Sequence, residues 1–365
     1  MNAILAINSG SSSLKFRLAS VDGENLFWGS ATRLGTKGAL LAWHLGDVKS
    51  ETIIANAGHG DIVSTISEYI ANDLPKIEIV AVGHRIVHGG MEFGDPVIIQ
   101  GDALGRIREL EPLAPLHQPA GIKGIELAMI AFPNALQVAV FDTGFHSEKP
   151  WLHDSYALNA EHYDAGIRRY GFHGISCQSV MRQLVEQGIN VQYKRIIIAH
   201  LGNGCSVTAV KYGKAHATSM GFSTLDGVAM GTRPGHIDAG VLIHWMREGR
   251  RLEDIERELY HASGLLGLSG ISNDIRDLMS SNDPRAANAI AFFTARISEE
   301  IARMATTMSG LDMIAFCGGI GENASSIREA IQGQIAFLSP IGAVDARVVQ
   351  TDEEGEIILR AKALL

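Results

Sequence analysis

Cysteine is scarce in this chain of 365 residues: Cys177, Cys205 and Cys317 are far apart and form no Cys-x-x-Cys pair. An odd, sparse set argues against a disulfide framework and suits reduced thiols, which makes the cytoplasm the expected compartment. Cys205, beside a glycine-rich turn, reads as a small buried residue, with redox sensitivity the alternative. Long apolar runs are also missing. None reaches the roughly 18 to 20 residues that span a bilayer, so no membrane association is expected. The opening MNAILAINSG has no basic stretch leading into an apolar core and a small-residue cleavage site, and does not read as a secretory signal. A positive excess is absent too. Lys and Arg total 31 against 40 Asp and Glu, a net charge of -9, which disfavours bulk nucleic-acid or anionic-membrane binding and leaves room for local basic sites.

What is present is an ordinary apolar content of 46% and enough length for two domains or one large one. Short β-branched runs recur at 3–7, 77–82, 136–140, 195–199 and 311–316, each followed by Gly, Asn, Asp or His. Such runs are expected to be buried strands that deliver polar residues at their C-terminal ends. Helical patterns lie between them. The clearest starts at Asp283-Pro284, places Ile290, Phe293, Ile297, Ile301, Met304 and Met308 on one face, and stops at Gly310. Strands alternating with helices predict an α/β architecture. AINSGSSSLKFRLA near the start and AHLGNGCSVTAVKY from Ala199 share a strand, a Gly/Ser/Asn turn and a second strand. Two related α/β domains facing one cleft account for this, as does independent recurrence of a common hairpin. The polar stretch 144–160 reads as the crossing between domains.

Several segments carry anion chemistry. Asn8 to Lys15 offers backbone N–H groups, the hydroxyls of Ser11 and Ser13, and a cation; as it runs on into a strand and lacks GxxxxGK[ST] spacing, it is not a Walker A loop. A solvated turn is the plainer reading. Arg85 in GHRIVHGG follows a strand and can present its planar fork to a carboxylate or phosphate. His84 and His88 have the spacing of a helical zinc pair, but the preceding strand and following Gly-Gly argue against a helix there. Asp142, after the run 136–140, could orient a nucleophile, hold magnesium through water, or cap a turn. Arg168, Arg169 and His173 surround aromatics in RRYGFHG. The glycine-dense segment 220–240 carries Arg233 and Asp238 and is long enough to suggest a functional loop. GGIGEN, residues 318–323, lies between a strand and a helical pattern, where a helix start can face nucleotide phosphate or ribose. No nucleophile–base pair with an orienting third group is evident. Phosphoryl transfer, which needs positioned charge and a magnesium ion more than covalent help, matches this inventory.

INSGSSSLKF, GHRIVHGG, APLHQP, FDTGFH, RRYGFHGIS, HLGNGCS, SMGF, MGTRPG, SNDIRDL, GGIGEN and TDEE occur in the order found in acetate kinases, which the chain resembles over essentially its whole length. The resemblance implies two duplicated actin-like (ribonuclease H-like) α/β domains flanking an active-site cleft. One, 1–146 with 350–365, would be the acyl and phosphate side; the other, 147–349, would bind nucleotide. It also implies a cytosolic homodimer with acetate or acetyl phosphate and ATP or ADP as substrates, and Mg2+ as the cofactor, with Mn2+ a substitute.

Carried onto this sequence, the resemblance makes Asn8 and Glu353 magnesium ligands. Ser11, Ser13 and Lys15 would line the phosphate site. Arg85 would bind the carboxylate, and Asp142 would be the catalytic carboxylate. His173 and Arg233 would stabilise the transferring phosphoryl group. His200, Leu201, Gly202, Asn203 and Gly204, then Asp274, Ile275 and Arg276, then Gly319, Ile320, Gly321, Glu322 and Asn323 would hold ATP. Val87, Leu116, Phe172 and Thr224 would wall the acyl pocket. Departures fall in that wall: Thr224 stands where many members carry proline, and Gly121 follows HQPA where asparagine is commoner. A propionate or other short-chain acyl kinase is the nearest alternative. An actin-like conformational ATPase and a nucleotide-binding regulator without catalysis are more distant ones.

Overall fold

The computed structural model describes residues 1–338 and 344–365. It comprises two compact units, Met1–Phe145 with Asp352–Leu365, and His146–Thr351. Among the described residues, no helix is long and apolar enough to cross a membrane.

The first unit carries strands β1 (Asn2–Ser9), β2 (Ser13–Ser20), β3 (Asn25–Thr32), β4 (Leu40–Leu45), β5 (Val48–Ile53), β6 (Glu78–Ile86), β7 (Val97–Ile98) and β8 (Leu136–Phe141). They form one sheet in the order β5-β4-β3-β2-β1-β6-β8-β7. Strands β1, β6 and β8 are parallel neighbours, and β1 to β5 form an antiparallel meander. The central strands are apolar over most of their length because both faces are covered. On one face Ala3, Leu5 and Ile7 of β1 share a core with Ile62 and Ile66 of helix His59–Asp73 and with Ala128 of helix Gln118–Ala131. On the other face lies the C-terminal helix Glu353–Lys362. Gly83 in the middle of β6 makes that close approach possible: a Cβ there would lie 2.6 Å from Ile357 Cγ2 and 3.3 Å from the Ile357 carbonyl.

The second unit carries β9 (Arg195–Leu201), β10 (Cys205–Lys211), β11 (Lys214–Thr218), β12 (Met313–Cys317) and β13 (Asp345–Val348), ordered β11-β10-β9-β12-β13. Here β9, β12 and β13 are parallel, and β9, β10 and β11 form an antiparallel meander. The first unit holds the same five-strand pattern as β3-β2-β1-β6-β8. The likeness of the halves therefore extends beyond a shared hairpin to a repeated topology, that of a mixed α/β chain with duplicated sheets.

The long helix runs Pro284–Met308, with Asp283 accepting a hydrogen bond from the Arg285 N–H at its start. Phe293, Ile297, Ile301, Met304 and Met308 are buried, and Ile290 is half-buried. The chain leaves the helix one residue before the expected glycine: Ser309 takes the left-handed conformation at φ 61°. Residues 219–238, between β11 and helix Ala239–Arg247, contain neither helix nor strand, as their glycine content implies. Asp238 caps that helix by accepting from the Gly240 N–H.

Candidate active site

In the first unit, three neighbouring parallel strands deliver polar residues at their C-terminal ends, where ligands collect in open α/β sheets. Asn8 comes from β1, Arg85 from β6, and Asp142 immediately after β8. The register explains the meeting of the last two. Arg85 pairs with Val140 and Ile86 with Phe141, and the Asp142 N–H then donates to the Ile86 carbonyl at 2.9 Å. Arg85 donates to Asp142 Oδ2 from Nε at 3.0 Å and Nη2 at 2.6 Å, and from Nη1 to Asn8 Oδ1 at 3.2 Å and Glu353 Oε2 at 3.4 Å. The Asn8 amide donates to Glu353 Oε2 at 3.0 Å and to Glu354 Oε1 at 2.9 Å. The C-terminal helix brings these two glutamates, and its cap Asp352 pairs with Arg17 at 2.7 Å.

The cluster thus sets several carboxylates around one guanidinium. Burial pushes the Asp142 carboxyl up to about 6, and the nearby charge of Glu353 adds to that shift against the pull of Arg85. Burial disfavours the charge on Arg85, but Asp142, Glu353 and Glu354 outweigh it and hold the guanidinium above its ordinary range. Asp142 Oδ1 is buried without a hydrogen-bond partner among the described residues. This set of hard oxygen donors (Asn8 Oδ1 and Glu353, with Asp142 Oδ1 beside them) fits Mg2+, which takes one or two carboxylates and completes its shell with water and phosphate.

Ser11, Ser13 and Lys15 sit in and just after the turn between β1 and β2, and Lys15 is exposed opposite Asn8 in the register. Val87 is buried just beyond β6, and Leu116 is 39% exposed ahead of helix Gln118–Ala131. His84 and His88 are both buried and neutral-leaning, each pushed down to about 4 by burial; His84 bonds Gln137 at 2.8 Å.

In the second unit, the turn Gly202–Gly204 between β9 and β10 is the meeting point. A Cβ on Gly204 would lie 2.8 Å from Arg233 Nη2 and 3.3 Å from His173 Nε2, so bare backbone lets both side chains approach. His173 sits at φ 58° as the N-cap of helix Gly174–Glu186, an uncommon conformation for a residue with a side chain. Its Nδ1 is 3.0 Å from Ser206 Oγ, and its ring stacks on His200 at 4.3 Å between centroids. Arg233 donates to the Thr224 carbonyl at 2.8 Å and makes no ion pair among the described residues; burial lowers its pKa. A desolvated, unneutralised guanidinium is an anion receptor.

Beside this turn a cavity of about 760 Å³ is lined by Gly202, Asn203, Asp274, Ile275, Arg276, Gly319, Ile320 and Asn323, together with Asn273, Met279, Ser280 and Ala324. It is within the size range of small-molecule pockets. Asp274 caps helix Ile275–Ser280 and forks onto the Arg276 guanidinium, while Asn273 donates to Asn203 Oδ1 at 3.1 Å.

The acetokinase family pattern matches residues 3–360. A relative called acetate kinase, from Methylocella silvestris, is 38% identical, with 99% of this chain and 98% of the relative covered. The chain belongs to the acetokinase family. A crystal structure of a propionate kinase from Francisella tularensis superposes with a TM-score of 0.93 at 36% identity, covering all of both chains. The acetate kinase of Porphyromonas gingivalis gives 0.89 at 34%, again covering all of both.

Within this acetokinase, not every residue expected at the nucleotide lines the cavity. His200, Leu201, Gly204, Gly321 and Glu322 do not. Leu201 is wholly buried. The Glu322 carboxylate turns away to accept from the Gly318 N–H at 3.0 Å and from the Thr351 N–H at 3.0 Å, so its side chain is a brace for the start of helix Gly318–Asn323. That helix follows β12 directly. Phe172 is buried, and Thr224 is half-buried with its carbonyl on Arg233. Arg168 lies over the Tyr163 ring and Arg169 pairs with Asp226, so neither is a free cation beside His173.

The surroundings of Cys205 favour the plain buried reading over the redox alternative: the thiol is buried, donates to the Gly202 carbonyl at 3.1 Å, and is pushed up to about 12 by burial. Sequence reasoning missed Asn273 and Glu354, although each adjoins a residue already singled out. Met279, Ser280 and Ala324 carried no signal of their own, because their role comes only from where two helices bring them.

Proposed function

We propose that this acetokinase is an ATP:acetate phosphotransferase that reversibly forms acetyl phosphate and ADP. The observation that carries the reading is the unpaired Arg233 guanidinium, set with His173 over the bare Gly204 backbone and beside a cavity of about 760 Å³. Residues 147–349 are assigned to nucleotide binding, and 1–146 with 350–365 to the acyl side. The lining set Gly202, Asn203, Asp274, Ile275, Arg276, Gly319, Ile320 and Asn323 holds the nucleotide. Val87, Leu116, Phe172 and Thr224 wall the acyl group.

The reaction is direct. A carboxylate oxygen of acetate attacks the γ-phosphorus, the new P–O bond forms, and the bond to the bridging oxygen breaks, so that ADP leaves with the electron pair. Acetate is ionised at neutral pH and needs no base to activate it. The barrier is repulsion between two anions. Arg85 orients the attacking carboxylate, with its own fork fixed by Asp142. Arg233 and His173 take up charge on the transferring phosphoryl oxygens. Lys15, with Ser11 and Ser13, lines the phosphate path. Asn8 and Glu353 would hold Mg2+, which when bound neutralises phosphate charge.

The likeness to a propionate kinase favours a second reading, in which propionate is the better acid, and the departure at Thr224 leaves the wall open to it. One extra methylene is worth about 1–3 kcal/mol in such a wall. The test is acyl phosphate trapped with hydroxylamine, using Mg-ATP and acetate, propionate or butyrate. Trapped product with the two-carbon or three-carbon acid is expected. ATP hydrolysis indifferent to every acid would overturn the reading. A homodimer is proposed as well, and a monomeric mass by light scattering would remove it.

A further inference from the structure

Arg233 lies in an irregular segment whose Met230–Thr232 stretch is tied to helix Gly264–Ser269 and its lead-in: the Leu265 and Leu266 N–H groups donate to the Met230 and Gly231 carbonyls, and the Ser263 N–H to the Thr232 carbonyl. The flanks of the arginine supply a further tie. Asp226, seven residues before it, and His236, three after it, meet with Oδ1 and Nδ1 2.8 Å apart. The His236 N–H also donates to the Gly227 carbonyl at 2.7 Å, closing the segment into a loop with Arg233 inside it. Each end of this closure is tied to a different element. Asp226 Oδ2 accepts from Arg169 Nη1 at 2.9 Å, and Arg169 stands four residues before His173. His236 Nε2 is 3.6 Å from Glu300 Oε2, a carboxylate only 4% exposed on the long helix, which Arg303 grips through Nε at 2.8 Å. The resulting chain alternates in sign: Arg169, Asp226, His236, Glu300, Arg303.

We propose that the Asp226–His236 ion pair is a clasp that sets the Arg233 loop for phosphoryl transfer, with Asp226 and His236 acting as positioning residues. The inference rests on the reading that Arg233 acts on the phosphoryl group. No catalytic contact is assigned to the clasp itself. Its effect is on where the guanidinium stands, and displacement of such a group by about 1 Å can cost roughly 100-fold in rate. The clasp also has a pH signature. Hydrogen bonds from Asp226 first, then Glu300, push the His236 imidazole up to about 9, so it is charged at neutral pH. The groups facing it are Asp226 and Glu300, with Arg169 and Arg303 behind them. Loss of its proton at higher pH removes the charge from the clasp and leaves only one of the two ring nitrogens able to donate.

The test uses the full chain with Mg-ATP and acetate. The principal variant is His236→Gln, because His236 is half-exposed and its replacement is tolerable to folding; Asp226→Asn is the second. Expected are a fall in kcat of about 10- to 100-fold, an ATP affinity by calorimetry within about twofold of the parent protein, and loss of an alkaline limb near pH 9 in His236→Gln. An unchanged kcat and alkaline limb in His236→Gln, alongside an inactive Arg233→Ala, would overturn the clasp alone. A rate loss matched by lost ATP affinity would overturn it too, since that marks general loosening. Near-normal turnover in Arg233→Ala would instead remove the reading beneath it, and the clasp with it.

Discussion

Arg85 and Arg233 are the same side chain put to opposite electrostatic use. Arg85 is surrounded: Asp142, Glu353 and Asn8 accept from it, and its charge is held firmly. Among the described residues, Arg233 bonds a backbone carbonyl and no carboxylate, and desolvation disfavours its charge. A guanidinium fixed by carboxylates has a set direction and little charge left over. One that is half-buried and unneutralised retains its full demand for an anion. The first suits orientation of a substrate, and the second suits charge that develops during reaction.

Four experiments put that contrast to the test. The largest effect is expected from Arg233→Ala, which should fold normally and lose roughly 10²- to 10⁵-fold in kcat, measured as trapped acyl phosphate. Turnover near that of the parent protein would remove Arg233 from the chemistry. Arg85→Leu should act on stability as well as rate. It leaves Asp142 buried without its partner, at a cost of about 3–5 kcal/mol in urea unfolding. That cost should be larger at pH 8 than at pH 5, because Asp142 can answer at low pH by keeping its proton. Equal losses at both values would contradict the assigned pairing.

The third experiment follows Asp142 in the intact protein. Its folded value of about 6 lies above the ordinary 3.8, so between these values the native state keeps a proton that the unfolded chain has released. The contribution of this group to stability therefore falls as pH rises through that window. Activity runs the other way. As pH drops below about 6, kcat/KM should fall by roughly tenfold per unit, since the carboxylate that fixes Arg85 is being lost. A flat acid limb down to pH 4.5 would sink this assignment. The smallest effect is expected from Gly83→Val, which pushes on Ile357 and the C-terminal helix that carries Glu353. About 1–3 kcal/mol of stability should be lost. If Glu353 is a magnesium ligand, the Mg2+ concentration for half-maximal rate should rise as well.

Most strands were legible because the pattern has a simple cause. A strand covered on both faces carries a nearly continuous apolar run, and the polar residues fall at or just after its C-terminal end, as at Asn8, Arg85 and Asp142. The helix from Pro284 was legible for the same kind of reason, a 3.6-residue stripe with a cap. The extra strands β4 and β5 were not marked out: β5 is largely exposed, so its side chains show no burial pattern to read. Glu322 illustrates the opposite difficulty. Its motif points to nucleotide, but the direction of its carboxylate depends on Thr351, 29 residues away.

By itself the order of motifs determined the family, the reaction class and the list of charged residues, because those depend on which side chains exist and at which strand ends they fall. Only the tertiary structure decided how the charges are shared. Asp142 encloses Arg85 through the register of β6 against β8, while Arg233 is left without a carboxylate and its loop is closed by Asp226 and His236. The physical reason is distance. Electrostatic interaction depends on separations in space and on burial, and residues 57 apart in the chain, such as Arg85 and Asp142, acquire theirs only when the sheet forms.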